Sequence, residues 1–236
     1  MRTELFYDRL DSTNLEHARL LASGAKTDRW VIRSGEQTAG MGRNGNAWLS
    51  PRGGLYLSFD LLCPLTVPSF ALYVGFCLHS LLLRLFPLQD LSIKWPNDIY
   101  LDGAKLAGIL CQHKPEESRY LIGIGINTNT SRDDVILEER MAILPESMGF
   151  AISNSILAKL LVASVEAEVS KLEQPQSYLI HCDGHLYGKG ALAEVSAPQA
   201  ELKGRIEGIG TDGSLLLRTA SGESVAVLHG SLRILS

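Results

Sequence analysis

Charge and glycine coincide at a few places in this sequence. Gly40-Met41-Gly42-Arg43-Asn44-Gly45 sets glycines on either side of one guanidinium. Lys94-Trp95-Pro96-Asn97-Asp98 brings a cation, an amide and a carboxylate together, with a proline fixing the backbone bend. Lys105-Leu106-Ala107-Gly108-Ile109 starts a strand in which alternation groups the amine with Ala107 and Ile109. A polar turn, Asp11-Ser12-Thr13-Asn14, stands near the start. Closely spaced glycines let backbone amides approach an anion, arginine pairs with carboxylate or phosphate, and amide and carboxylate oxygens suit a hard cation. The chemistry these types could do together is the handling of a negatively charged substrate. Singly, each has a plainer reading: a solvated loop arginine, or a strand-end lysine reaching water.

Other chemistries are excluded. The loop matches G-x-G-x-x-G, follows a strand, and has Asp60 about where a ribose-binding acid would stand. A dinucleotide fingerprint, however, needs its last glycine to open a helix. Asn46 to Gly54 includes Pro51, Gly53 and Gly54 and cannot form one. Cys63, Cys77, Cys111 and Cys182 contain no C-x-x-C pair, so zinc-finger spacing is absent. The six histidines are scattered, and no serine–histidine–acid set is evident. Twenty-two basic against 26 acidic residues give a formal charge of −4, which argues against a broad DNA-binding face. Residues 1–8 carry charges and no signal-peptide pattern, so a reduced, cytoplasmic setting is expected. The apolar stretch Phe70–Phe86 is broken by His79, Ser80 and Arg84 and reads as a buried helix, with no membrane span.

The elements that must position these residues follow from punctuation and period. Strands are expected at Leu5–Tyr7, Trp30–Ser34, Leu55–Leu62, Leu91–Trp95, Ile99–Leu101, Lys105–Cys111 and Arg119–Ile126, with a hairpin turn at Asp102-Gly103. Helices are expected at Leu15–Ser23, with Ser12, Thr13 or Asn14 as cap, at Pro68–Phe86, and at Ser153–Glu173 on a stripe of Ile156, Leu160, Val165 and Val169. Residues 132–148 read as a polar, mobile loop. After about residue 185 the pattern turns to short strands with Asp212-Gly213 and Ser221-Gly222 turns. The expected organisation is an α+β domain over 1–185, a mixed, mainly antiparallel sheet packed with helices, followed by a small β-barrel over 186–236.

Taken jointly, DSTN at 11–14, QTAGMGRNGNAWLSP at 37–51, KWPND at 94–98, KLAGIL at 105–110 and GIGIN at 123–127 resemble the biotin protein ligase family, also called holocarboxylase synthetases. The resemblance covers residues 5 to about 130. It implies a class II synthetase-like catalytic domain followed by an SH3-like barrel. It implies ATP and biotin as substrates, Mg²⁺ as the accompanying ion, and a biotin carboxyl carrier domain of a biotin-dependent carboxylase as partner. Biotin would be activated to biotinyl-5′-AMP and passed to a lysine of that carrier. Ser12, Thr13, Asn14 and Gln37 would meet the ureido ring, with Gly40, Met41, Gly42 and Gly108 completing the biotin site. Arg43 and Lys105 would bind the carboxylate and the developing charge as catalytic groups. Lys94, Asn97, Asp98, Asn127 and Arg233 would lie at the ATP, with Asn97, Asp98 and Asn127 as ligands for Mg²⁺.

Met41 stands where the family often has a basic residue. Residues 132–148 hold no Trp or Tyr to stack on adenine, leaving Met141 or Ile143 as apolar substitutes. The DSTN turn at residue 11 leaves no room for the winged-helix repressor domain of some bacterial relatives, so neither nucleic acid nor membrane is an expected partner. A second copy of the chain is a candidate partner, and monomer and dimer both stay open. The alternatives are a lipoate or octanoate ligase or transferase, and a non-catalytic biotin-binding protein.

Overall fold

The computed structural model describes residues 2–86, 90–131, 141–144, 149–197 and 200–235. In chain order the strands are β1 (Thr3–Tyr7), β2 (Trp30–Ser34), β3 (Leu55–Leu62), β4 (Leu91–Lys94), β5 (Asp98–Leu101), β6 (Ala104–Lys114), β7 (Arg119–Ile126), β8 (Leu192–Ala197), β9 (Ala200–Ile209), β10 (Leu215–Arg218), β11 (Ser224–Val227) and β12 (Ser231–Ile234). The helices are α1 (Thr13–Ala22), α2 (Phe70–Leu85), α3 (Asn154–Ala167) and α4 (Gln176–Gly184). They gather into two compact units, residues 1–66 with 104–166, and residues 67–103 with 167–236. No helix among the described residues is long and apolar enough to cross a membrane.

In the first unit β1 runs parallel to β2, and β2, β3, β7 and β6 follow as antiparallel neighbours. β3 is buried at every position but its last, so its sequence is a nearly unbroken apolar run. α1 packs across β3 and β7. It begins after Ser12, whose extended backbone marks the cap position although its side chain makes no cap hydrogen bond. It ends before Gly24, where φ is +81° and only glycine is unstrained.

Two polar residues interrupt β3, Ser58 and Asp60, and Asp60 is a fully buried acid. Arg2 Nη1 reaches its Oδ1 at 3.2 Å, Thr27 Oγ1 donates to Oδ2 at 2.8 Å, and Arg119 donates to the same oxygen. Burial alone would raise this carboxyl. The His17 imidazole, at an ion-pair distance of 3.8 Å, with Thr27 and Arg119, overcomes that and holds it well below the usual carboxylate range. Asp60 is thus an internal anchor for the unit, and the ribose-like spacing of its position is incidental.

α3 departs from its expected stripe by one position. Leu157, Leu161 and Val165 are buried, whereas Ile156 is 60% and Leu160 41% exposed. Two adjacent apolar rows on one helix look alike in sequence, and packing chooses between them. The helix also ends at Ala167, and Val169–Glu173 continues as a 3₁₀ turn.

In the second unit, β4 and β5 form a hairpin with Lys94 opposite Asp98. α2 packs on α4 and β4. Sequence reading missed α4, which follows Pro175 directly and buries Tyr178, Leu179 and Cys182. The C-terminal strands correct a further expectation: among the described residues no sheet closes into a barrel. They form an open five-stranded sheet in the order β11-β10-β9-β8-β12, with β11 and β12 as edges. Short strands joined by Gly turns are common to both architectures. Closure depends on whether the edge strands meet, which turn residues do not encode.

Asp60 gives a direct stability test. Asp60→Ala removes the buried carboxylate that Arg2 and Arg119 share, leaving Arg2 only Glu166 and Arg119 only Glu117 as acidic partners among the described residues. The cost of breaking a buried pair is about 3–5 kcal/mol, so urea denaturation should show a stability loss of that order. A loss under ~1 kcal/mol would mean that Glu166, Glu117 and solvent relieve the arginines.

Candidate functional site

The first unit brings most of the expected site residues together around the loop 37–50. Its base is tied to the polar turn: Leu10 bridges Gln37, Thr38 N donates to Leu10 O, and Ala39 N donates to Asp11 O at 2.8 Å. The loop then folds back on itself. Gly42 N donates to Asn46 O at 2.7 Å and Trp48 N to Gly40 O at 2.9 Å, with Met41 bridging Ala47. Asn44 and Gly45, with φ of +54° and +78°, make the reversal. Gly40 has no room for a side chain, since a Cβ would stand 2.3 Å from Trp48 O. A cavity of about 480 Å³ lies against this loop, lined by residues 39–47 with Leu110 and Gln112 of β6. Arg43 is its cation.

A buried polar chain runs behind the loop. Gln37 Nε2 donates to Ser50 Oγ at 2.8 Å, and Thr13 donates to Gln37 Oε1 from both N (2.8 Å) and Oγ1 (3.1 Å). Ser58 Oγ meets Thr13 Oγ1 at 2.8 Å and also Asn14 Oδ1. Thr13, Asn14 and Gln37 are therefore held by one another before any ligand is considered. Ser12 is buried beside them, its amide bonded to Asp11 Oδ1 at 2.7 Å. Ser50 and Ser58 are links that sequence reading missed, because a serine in a strand carries no distinctive signal.

The floor is a patch of glycine on paired strands. Gly108 of β6 faces Gly125 of β7, and the Trp48 indole lies on both. A Cβ at Gly125 would fall 2.4 Å from Trp48 Nε1, and one at Gly108 2.8 Å from the ring. Gly123, one pleat along β7, gives the same clearance to the Asn14 amide. Trp48 Nε1 is buried and meets no acceptor among the described residues.

Lys105 Nζ stands 5.4 Å from the Trp48 ring centroid. The amine therefore works on the Gly108 face, and not with Ala107 and Ile109 as strict alternation has it. Lys105 lies within β6, two residues before its ladder with β7 begins at Ala107, and its long stem carries the amine to the indole. Its carbonyl accepts from Ala142 N at 2.9 Å and from Asn127 Nδ2 at 3.2 Å. Asn127 in turn donates its amide to Leu106 O and accepts from Leu144 N. Residues 141–144 are thus pinned beside Lys105, with Met141 bridging it and Ile143 buried. The rest of the expected loop, 132–140 and 145–148, lies outside the described residues.

The remaining expected residues belong to the second unit. Lys94 Nζ donates to Tyr100 Oη at 2.7 Å and lies over that ring. Asn97 and Asp98 follow one another at the turn of the β4–β5 hairpin, with Asp98 the first residue of β5. Trp95 is 2% exposed and bonds Gly213 O through Nε1 at 3.0 Å, a core role. Arg233 pairs with Glu194. Oxygens of Asn97 and Asp98 are a suitable donor set for Mg²⁺, which takes one or two carboxylates and completes its shell with water and phosphate. Donation by Asn127 Nδ2 leaves Oδ1 as the ligand atom that residue can offer.

A mixed sheet, a glycine loop carrying one arginine, and a lysine fixed by its own carbonyl define a protein that positions anionic substrates. The profile of the Biotin/lipoate A/B protein ligase family matches residues 6–129. The chain is 31% identical over 233 residues to a biotin–[acetyl-CoA-carboxylase] ligase of Paracoccus denitrificans, covering 92% of this chain and 95% of that protein. It is 27% identical to a bifunctional ligase/repressor of Bacillus spizizenii, covering 94% of this chain and 71% of that one. The fold matches a biotin protein ligase of Aquifex aeolicus solved with biotin and ATP, with a TM-score of 0.86, 23% identity and full coverage of both chains. The chain belongs to the biotin/lipoate A/B protein ligase family.

The glycine floor can be tested by a double-variant cycle. Gly125→Ala should destabilise the chain by about 1–3 kcal/mol through overpacking against Trp48. In a Trp48→Ala background the same change should cost far less, as chemical denaturation would read. Equal costs in both backgrounds would mean that the indole is not what the glycine accommodates.

Proposed function

We propose that this chain is a biotin protein ligase that joins biotin to a carrier protein in two steps. In the first, a biotin carboxylate oxygen attacks the α-phosphorus of ATP; a new O–P bond forms and the bond to pyrophosphate breaks. In the second, the amine of a carrier lysine attacks the acyl carbon of biotinyl-5′-AMP. The C–O bond breaks, AMP leaves with the electron pair, and the amine gives up a proton. The substrate supplies its own nucleophile in both steps. The protein must therefore supply position and positive charge.

The observation that carries this reading is Lys105. Its amine stands over the indole floor while its backbone is clamped by Ala142 and Asn127. In this reading Lys105 and Arg43 receive the carboxylate and the α-phosphate. Thr13, Asn14, Gln37 and Ser12 meet the ureido group, and Gly40, Met41, Gly42 and Gly108 surround the bicyclic ring. Lys94, Asn97, Asp98, Asn127 and Arg233 serve ATP. Asn97, Asp98 and Asn127 would hold Mg²⁺, which would supply positive charge near the phosphates. Residues 1–185 would carry the chemistry and residues 186–236 the appended sheet. The acceptor would be a biotin carboxyl carrier domain of a biotin-dependent carboxylase, and the site of action the cytoplasm. The net charge of −4 offers no basis for a nucleic-acid partner.

Mass spectrometry of a carrier domain incubated with the chain, biotin and Mg·ATP should show one added biotinyl group. Lipoate in place of biotin should give none; the reverse result would select the lipoate branch of the family. Lys105→Met tests the charge. A charge-assisted hydrogen bond contributes about 1.5–3 kcal/mol, so biotin binding should weaken roughly ten- to a hundred-fold. Pyrophosphate release should fall further, because charge on phosphorus oxygens grows in the transition state. Biotinol, an alcohol with no charge to pair, should lose much less affinity. Equal losses for biotin and biotinol in calorimetry would assign Lys105 a packing role.

A further inference from the structure

The geometry points to a second ion site in this protein, a three-imidazole site for a borderline divalent ion such as Zn²⁺, formed by His79, His181 and His185. It lies wholly within the second unit and stands independently of the ligase reading. His79 comes from α2, His181 from α4, and His185 from the residue just after α4. One nitrogen from each can be chosen so that all lie within 4.8 Å of one another. The rings crowd together, with centroids 4.4 to 5.0 Å apart.

Two of the three rings are held by backbone carbonyls. His79 Nε2 is 3.2 Å from Leu91 O, and His185 Nδ1 is 2.9 Å from His181 O. A carbonyl can only accept, so each of those nitrogens carries its proton. His79 Nδ1 and His185 Nε2 are left with lone pairs. Imidazoles whose second nitrogen donates to a carbonyl are the usual arrangement in a histidine metal site. His79 Nδ1 is 3.0 Å from His181 Nε2, near the roughly 3.3 Å edge of a tetrahedron with Zn–N of about 2.0–2.1 Å. At present a proton on His181 Nε2 must fill that gap. On binding an ion, His181 moves this proton to Nδ1 and gives Nε2 to the metal, so no proton is lost.

Neutral imidazoles select ions of intermediate softness over Mg²⁺. His79 is fully buried while His181 and His185 are half-buried, leaving an approach for the ion and a water as fourth ligand. The ion would staple α2 to the end of α4. From there the chain passes directly onto β4: Ile93 N donates to His185 O at 2.8 Å, and Tyr187 N to Ile93 O at 2.9 Å. β4 carries Lys94, so the staple would stiffen the root of the hairpin that bears Asn97 and Asp98.

The test uses the full chain after chelator treatment. Calorimetry should show one Zn²⁺ per chain and no comparable heat with Mg²⁺. Co²⁺ should give the visible bands of a nitrogen-rich tetrahedral site. His181→Gln and His185→Gln, at half-buried positions, should each weaken Zn²⁺ binding by more than the roughly ten- to a hundred-fold that outer-shell losses cost. His229→Gln, at an exposed residue, should leave it unchanged. Excess Zn²⁺ should raise the thermal midpoint of the parent and not of the two variants. No saturable binding up to about 0.1 mM Zn²⁺, or equal binding by the parent and both variants, would overturn the site.

Discussion

An indole and two β-strands share one small volume, and the candidate site depends on how that conflict is resolved. Trp48 can lie on the sheet only because Gly108 and Gly125 face each other across β6 and β7. The same device one pleat away, at Gly123, admits the Asn14 amide. These glycines weaken strands that would otherwise favour branched residues. The lost side-chain packing is replaced by the indole and by the polar turn, which come from outside the strands. The loop 40–47 then has a fixed end, since Trp48 anchors it, and its cavity has a defined floor.

The polar chain from Ser50 through Gln37, Thr13 and Ser58 to Asn14 solves a second problem. A site for a polar ring needs donors and acceptors inside an apolar unit, where each unpaired group costs about 1–3 kcal/mol. Here most of them are bonded to one another, so the groups are already oriented. A ligand would exchange partners within an existing network, which is less costly than building one. Asp60 follows the same rule deeper in the unit, where Arg2, Thr27 and Arg119 surround a carboxylate that the apolar strand would not tolerate alone.

Much of this was legible in the sequence. Turn chemistry placed the Asp102-Gly103 pair, whose φ values of +50° and +71° fit a tight hairpin turn. Gly24 stopped α1 where expected, and Pro96 kept Trp95 out of a helix. The groups Ser12 to Asn14, Gln37 and Gly40 to Arg43 were found as pieces and meet in one unit. What stayed hidden was set by tertiary choice. The Lys105 amine reaches the Trp48 face on its long stem, a placement that alternation of the backbone does not encode. On α3 the row Leu157/Leu161 was buried in place of Ile156/Leu160. The open C-terminal sheet reads like a barrel because turns specify neighbours and say nothing of closure. The histidine cluster was invisible for a similar reason: His79 is separated from His181 and His185 by about a hundred residues, and only the packing of α2 on α4 joins them.

Lys105 shows why the clamp matters as much as the charge. A lysine side chain has a long flexible stem, and fixing its amine costs about 2 kcal/mol of rotamer freedom. That cost falls if the stem starts from a backbone that does not move. Lys105 O is held by both Ala142 N and Asn127 Nδ2, and Asn127 is itself tied to Leu106 and Leu144. The Trp48 face then limits where the stem can lie, and the ring's negative face favours the ammonium at 5.4 Å. The charge is thereby pre-placed by groups that need not touch a substrate. In a reaction whose nucleophile belongs to the substrate, this placement is the contribution open to the protein, and it rests on the same glycine pair that lets Trp48 reach the sheet.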